Sequence, residues 1–80
     1  MDEARSDVTV EVIGQTAWIR FNRPEVRNAA RIATAAALCT ALDEAEADPA
    51  VRAIVISGVG NHFMAGADLG FLQEVGTLAP

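Results

Sequence analysis

The apolar run at 53–57 (AIVIS) constrains the fold of this 80-residue chain more than any other segment. It is rich in β-branched residues, has the length of a strand and shows no polar alternation. Strands with this pattern are usually buried on both faces of a parallel sheet. A helical pattern precedes the run, and the order strand, helix, strand indicates a right-handed crossover between parallel strands. The sequence therefore predicts an α/β fold.

Two strands are predicted before the helix. Val8–Ile13 alternates between apolar and polar residues, as a half-buried strand does, and Thr16–Phe21 is a second strand. The two residues between them, Gly14 and Gln15, are a turn signal, so a β-hairpin is expected over 8–21. Pro24 then fixes its own φ and ends the second strand.

A long helix is predicted over Asn28–Asp48, followed by a strand over Arg52–Ser57 and a short helix over Asp68–Val75. Pro49 marks the end of the long helix. Apolar residues at helical spacing define the face expected to be buried: Ala35, Leu38, Ala41, Leu42 and Ala45. Cys39 lies beside that face and is expected to be an inert core residue.

One hairpin and one long helix cannot cover both faces of the predicted sheet. Eighty residues form at most one small domain, and burial is marginal at this size. We therefore expect that the chain either is part of a larger structure or leaves an apolar surface exposed. This expectation depends only on chain length and on the unalternating strand.

Composition and charge bear on the expected partners and on the cellular location of the chain. The net charge is −5 and all six cations are arginine, which disfavours nucleic acid and anionic membranes as partners. A single cysteine rules out an internal disulfide and fits a reducing compartment. The acidic start lacks the apolar core of a signal peptide, and no run is long enough to span a membrane. A cytoplasmic protein with no metal site is predicted.

The stretch at 58–69 (GVGNHFMAGADL) is the strongest candidate for chemistry. Small residues let a ligand approach the main chain, and a helix N-terminus presents unpaired N–H groups that can polarise a carbonyl oxygen. Asp68 is expected to cap the following helix, which is worth about 1 kcal/mol. His62 is the only imidazole and is expected on an exposed loop, where a role as a base is disfavoured.

Four sequence blocks carry a resemblance to a known family: AWIRFNRPE at 17–25, NA at 28–29, DPAVRAIV at 48–55 and AGAD at 65–68. Their order and spacing resemble those of the enoyl-CoA hydratase/isomerase (crotonase) superfamily, from about Val8 to Leu72. The resemblance implies the N-terminal part of a crotonase-like ββα spiral, with 1–80 as a truncated N-terminal portion of that domain. Crotonases are longer, and their second oxyanion-hole donor, two catalytic glutamates and trimerisation helices follow later.

The same resemblance implies a site that binds an acyl-CoA thioester. The backbone N–H of Ala67 matches one donor of the oxyanion hole, which holds the thioester carbonyl. By resemblance, two groups of residues lie on opposite sides of the CoA pocket: Glu25, Arg27 and Ala29 on one side, and Ala65, Ala67, Asp68 and Leu69 on the other. Coenzyme A is then part of the substrate, and no separate cofactor is expected.

Some residues depart from the family pattern. Arg31 stands where a helix-capping Ser, Thr, Asn or Asp is common, and Gly70 stands where Lys or Arg is common. Arg27 and Arg31 lie four residues apart at the helix start, against the helix dipole. Two interpretations stay open for this pair: solvated side chains, or a site for the CoA phosphates.

Two functions are predicted from different classes. In the first, the chain is a fragment of an enoyl-CoA hydratase-like enzyme, a lyase or isomerase that acts in fatty-acid β-oxidation. The fragment contributes half of the oxyanion hole and is inactive alone. The second is a non-catalytic remnant or interaction module that pairs with a separately encoded remainder. The expected partners are an acyl-CoA thioester and either a complementary C-terminal fragment or further copies of the chain.

Overall fold

The computed structural model describes residues 6–66, which form a three-stranded sheet with one α-helix packed on it. Strands β1 (Val8–Ile13) and β2 (Thr16–Phe21) are antiparallel, and β3 (Ala53–Gly58) pairs with β2 in parallel. A 3-10 helix (Pro24–Val26) and helix α1 (Ile32–Ala47) connect β2 to β3.

This order confirms the predicted α/β class, with its hairpin, long helix and parallel strand. Strand β3 is shifted by one residue from the predicted range. The short helix predicted over Asp68–Val75 lies outside the described residues.

The hairpin turn follows from its sequence. Gly14 has a φ of 61°, a left-handed conformation that glycine adopts without steric cost. The turn sets a register in which Ile13 faces Thr16 and Val8 faces Phe21. That register places the alternate residues of β1 and β2 on matching faces of the sheet.

The core lies between the middle of the sheet and α1. Val8, Ile19 and Phe21 from the hairpin pack with Ala41 of α1, and Ile19 is fully buried. Burying one such side chain is worth roughly 2 kcal/mol. Because β2 is the central strand, its alternate residues are the best covered in the described part of the sheet.

Helix α1 begins at Ile32 and ends at Ala47, so the predicted start at Asn28 is wrong. Arg27 and Asn28 have φ values of 56° and 59°, which right-handed helices exclude. Arg31 is extended and is the residue before the first helical turn. The polypeptide at 27–31 therefore approaches the loop after β3 instead of continuing a helix.

The buried face of α1 is also rotated from the predicted one. Thr34, Ala41 and Ala45 are buried, with Leu38 and Leu42 partly buried beside them. Two predictions for this helix are wrong, because Ala35 and Cys39 are exposed. Thr34 is polar and was not predicted on the buried face. Its hydroxyl can be buried because it donates a hydrogen bond to Asp7.

Strand β3 is less buried than its apolar sequence indicates. Ile54 and Ile56 are 40% and 39% exposed, in line with the expectation that one hairpin and one helix cannot cover both faces of the sheet. The physical reason is coverage, since α1 packs over β1 and β2. Among the two expected alternatives, an exposed apolar surface is what residues 6–66 show. Val10, Val12 and Ile13 of β1 are exposed as well, each by about half, and by register Ile13 lies on the opposite face of the sheet from Ile54 and Ile56.

Within 6–66, no helix has both the length and the apolar character needed to cross a membrane.

Candidate functional site

The segment after β2 and the loop after β3 converge at one edge of the sheet. The two strands are parallel, so their carboxyl ends lie at that same edge. In open α/β sheets ligands bind outside the carboxyl ends of the strands. The sequence blocks at 22–30 and 58–66 both start there, which makes this edge the candidate site.

Main-chain hydrogen bonds hold these two segments together. The N–H of Ala65 donates to the carbonyl oxygen of Arg27 at 3.0 Å. The N–H of Ala30 donates to the carbonyl oxygen of Gly66 at 2.8 Å. The structure thus brings together the segments predicted to form the two sides of a pocket.

The individual predicted residues differ in exposure. Glu25 lies in the 3-10 helix and is exposed, as are Arg27 and Ala65, whereas Ala29 is partly buried. Their ligand-binding roles stay predictions. The remaining candidates lie outside the described residues: Ala67, Asp68 and Leu69.

The backbone after β2 is shaped by short-range bonds. The 3-10 helix closes with the N–H of Arg27 donating to the carbonyl oxygen of Pro24 at 3.2 Å. The N–H of Asn28 then donates to the carbonyl oxygen of Arg23 at 2.8 Å. Two consecutive left-handed residues follow from this turn, and asparagine tolerates that conformation better than most residues. The carbonyl of Arg27 is thereby directed at Ala65.

Asn28 is a central residue of the site, and sequence reasoning missed its role. Its side chain is 1% exposed and makes three hydrogen bonds. Oδ1 accepts from the N–H of Arg23 at 2.8 Å, and Nδ2 donates to the carbonyl oxygens of Val59 at 3.0 Å and His62 at 2.7 Å. The available signal was an asparagine directly after a Pro-containing turn, where left-handed φ is common.

Gly58 is required by the same close packing. A Cβ added there would clash with the carbonyl oxygen of His62 and would lie 2.5 Å from that of Phe63 and 2.7 Å from Nδ2 of Asn28. The loop after β3 therefore folds back onto its own start, and only glycine leaves room for it. The Phe63 ring packs edge-on against Phe21 with centroids 5.4 Å apart, which anchors the far side of the loop.

An ion pair between buried Asp7 and half-exposed Arg31 fixes the start of α1. Both carboxylate oxygens of Asp7 accept from the Arg31 guanidinium at 2.8 Å, and one also accepts from the Thr34 hydroxyl at 2.8 Å. The hydrogen bond from Arg31 is the largest cause that lowers the pKa of Asp7 from 3.8 to about 2, against burial, which raises it. Arg31 thus has a stabilising partner at the helix start, and the sequence had not revealed one.

The described residues contain little other chemistry. His62 is exposed, and its carbonyl oxygen rather than its imidazole is what Asn28 contacts. Within 6–66, no group of three or more His, Cys, Asp or Glu could hold a metal ion. Within 6–66, the site is held together mainly by main-chain hydrogen bonds and by the amide of Asn28.

Comparison with known proteins relates this geometry to one family. The sequence profile of the enoyl-CoA hydratase/isomerase family matches residues 12–78. The chain is 32% identical over 76 residues to the crotonyl-CoA hydratase of Syntrophomonas wolfei, covering 94% of this chain and 29% of that protein.

Two solved structures are similar in fold as well as in sequence. Carnitinyl-CoA hydratase from Mycobacterium avium superposes with a TM-score of 0.80 at 43% identity, over 89% of this chain and 28% of that one. Enoyl-CoA hydratase from Thermoplasma volcanium superposes with a TM-score of 0.82 at 34% identity, over 91% and 29%. The chain spans about a quarter of the length of the curated relatives it matches.

Proposed function

The chain belongs to the enoyl-CoA hydratase/isomerase family, and we propose on that basis that it contributes one part of an acyl-CoA thioester site. In this proposal, the paired segments at 27–30 and 65–66 form the wall of the pocket, and the backbone N–H of Ala67 is one donor of an oxyanion hole. The observation that carries the proposal is the main-chain pairing of Ala65 with Arg27 and of Ala30 with Gly66.

The direction of one carbonyl group supports the position of the ligand. The carbonyl oxygen of Gly66 accepts a hydrogen bond from Ala30. If the peptide after Gly66 is trans, its C=O and the N–H of the next residue point in opposite directions. The proposal then expects a thioester oxygen bound by the N–H of Ala67 on the side of Gly66 that faces away from Ala30.

The reaction proposed for the complete site is the addition of water across the double bond of a 2-enoyl-CoA. Negative charge develops on the thioester oxygen as the enolate forms, and a fixed N–H donor stabilises that charge by about 3 kcal/mol. A donor alone does not transfer protons, and general acid–base catalysis needs a group within hydrogen-bond reach of the reacting atoms. We expect residues 1–80 to be inactive alone, because the resemblance implies that the family's second donor and two glutamates lie beyond the segment matched here.

The proposal also defines the remaining components. Coenzyme A enters as part of the substrate, and no resident cofactor is required. A polypeptide that carries the second donor and the glutamates would be the complementary partner. A cytoplasmic location stays a prediction from composition.

A chimera tests this function directly. Residues 1–80 would replace the matching segment of the Syntrophomonas wolfei crotonyl-CoA hydratase, and hydration of crotonyl-CoA would be measured. We expect turnover by the chimera and none by the 80-residue chain. A chimera that is folded by circular dichroism, yet neither binds butyryl-CoA nor hydrates crotonyl-CoA, would contradict the proposal.

A second function has one specific observation in its favour. The exposed side chains of Ile54 and Ile56 on β3 favour an interaction module that docks on another polypeptide. The two functions differ in their ligand. A chain that binds protein through β3 but shows no affinity for butyryl-CoA would support the interaction module instead of the acyl-CoA site.

A further inference from the structure

We propose that Asn28 is a positioning residue of the acyl-CoA pocket, an inference that rests on the proposed function. Its amide ties the loop after β3 to the segment after β2, and it thereby helps to fix the positions of Ala65 and Gly66 in that pocket. The side chain touches no reacting atom. Its effect reaches the ligand through the main chain.

The side-chain chemistry of Asn28 matches its surroundings atom by atom. Two carbonyl oxygens, those of Val59 and His62, receive hydrogen bonds from Nδ2. Oδ1 accepts one hydrogen bond, from the main-chain N–H of Arg23. An aspartate has the acceptor but no donors when ionised, and a serine has only one donor. At 1% exposure, water does not replace a lost partner, so each bond matters.

The position of Asn28 in the chain turns these bonds into a clamp. Its side chain holds the first half of the loop through Val59 and His62. Two nearby residues, Arg27 and Ala30, hold the second half by main-chain bonds to Ala65 and Gly66. One short segment thus restrains both halves of the loop. If the amide is removed, the loop loses its side-chain bonds at Val59 and His62 and keeps the contacts to Phe21 and the pairing at 65–66.

The left-handed backbone of Asn28 allows a clean test by substitution. Asn28→Gly removes the side chain and still accepts a φ of 59°. Asn28→Asp keeps the shape and the acceptor but places a carboxylate against two carbonyl oxygens. Burial and that repulsion raise the pKa of the introduced carboxyl, and the protonated form can again donate one hydrogen bond.

The first measurement is amide hydrogen exchange by NMR on the full 80-residue chain. We expect Asn28→Gly to reduce the protection of the Ala65 and Ala30 amides about tenfold or more, with the amides of β2 unchanged. Asn28→Asp should match the glycine variant near pH 8 and approach the parent near pH 5. The ion pair of Asp7 stays intact at both values, because the pKa of Asp7 is about 2.

The second measurement is the affinity of the chimera for butyryl-CoA over the same pH range. The parent and Asn28→Gly serve as controls for the nearby charged and titratable groups, Arg23, Arg27 and His62. We expect affinity to fall about tenfold in the glycine variant and to recover with acid only in the aspartate variant. A purely structural role would lower the protection of the β2 amides in Asn28→Gly together with the affinity, and that result would overturn the positioning role.

The two proposals fail in different ways. A parent chimera that is folded but does not bind butyryl-CoA would overturn the acyl-CoA site and, with it, the pocket role of Asn28. A parent chimera that binds butyryl-CoA, with an Asn28→Gly variant that keeps both its affinity and its Ala65 protection, would leave the site standing and overturn the role of Asn28.

Discussion

The amide of Ala65 donates to the carbonyl oxygen of Arg27 at 3.0 Å, and this bond joins two segments that are far apart in the chain. It depends on a left-handed φ of 56° at Arg27, which directs the carbonyl toward the loop after β3. The family resemblance located both segments in one pocket. It did not indicate that they pair by main-chain hydrogen bonds.

Gly58 should tolerate no larger residue. The Cβ of Gly58→Ala would collide with the carbonyl oxygens of His62 and Phe63, and overpacking of this kind costs about 1–3 kcal/mol. We expect lower unfolding free energy in denaturant titrations and faster amide exchange in the loop. Gly14→Ala is the matched control, since its Cβ would meet nothing within 4 Å and only its φ of 61° is strained. A Gly58→Ala variant whose loop after β3 exchanges no faster than in the parent would contradict the crowding argument.

Asp7 should titrate far below an ordinary carboxyl. Its pKa is about 2 in the folded chain against 3.8 for the free group, so the folded state is favoured whenever Asp7 is ionised. The contribution is roughly 2 kcal/mol above about pH 4, and it is lost as pH falls through the folded pKa. NMR titration of the Asp7 carboxyl carbon measures this. Arg31→Gln should move the pKa upward, and an Asp7 pKa near 3.8 in the parent would contradict the ion pair.

Arg27 and Arg31 should have different functions. Arg31 is held by Asp7, so Arg31→Ala should lower stability with little effect on CoA affinity. Arg27 is exposed at the pocket edge, so Arg27→Ala should weaken butyryl-CoA binding by the chimera. The loss should be larger at low salt than at high salt, because ions screen an exposed charge contact. Calorimetric titrations showing an Arg31→Ala loss of affinity at unchanged stability would reverse this assignment.

The exposed apolar residues of β3 should cause the isolated chain to self-associate. Ile54 and Ile56 expose about two fifths of their surface, and several apolar residues of β1 are exposed as well. We expect binding of a hydrophobic dye and self-association in light scattering. Ile54→Thr with Ile56→Thr should reduce both signals, since threonine keeps strand propensity and removes apolar area. A dye-silent monomer at high concentration would show that this surface is covered.

The general fold was predictable because it depends on local patterns. Alternation in β1, the Gly14 turn and the apolar run of β3 each indicate an element without reference to the rest of the chain. The start of α1 was not predictable in this way. Asn28 and Thr34 are polar residues whose side chains find buried partners distant in sequence, and periodicity carries no information about such partners.

The sequence also did not show which parts of the sheet the helix covers. Apolar residues in β3 indicated burial on both faces, but burial depends on which elements lie over a strand, and α1 lies over β1 and β2. Cys39 was misplaced for a similar reason, because a small rotation of α1 about its axis moves that residue from the core to the surface. Asp7 precedes the first strand and has no pattern that relates it to Arg31.

The proposed donor at Ala67 is tested most directly by removing its N–H in the chimera. Ala67→Pro lacks the N–H, and Ala67→Gly keeps it. We expect the glycine variant to hydrate crotonyl-CoA nearly as fast as the chimera itself. The proline variant should lose about 100-fold or more in kcat/KM while remaining folded by circular dichroism. A folded Ala67→Pro chimera with the kcat/KM of its parent would contradict the oxyanion-hole role and leave Ala67 as a packing residue.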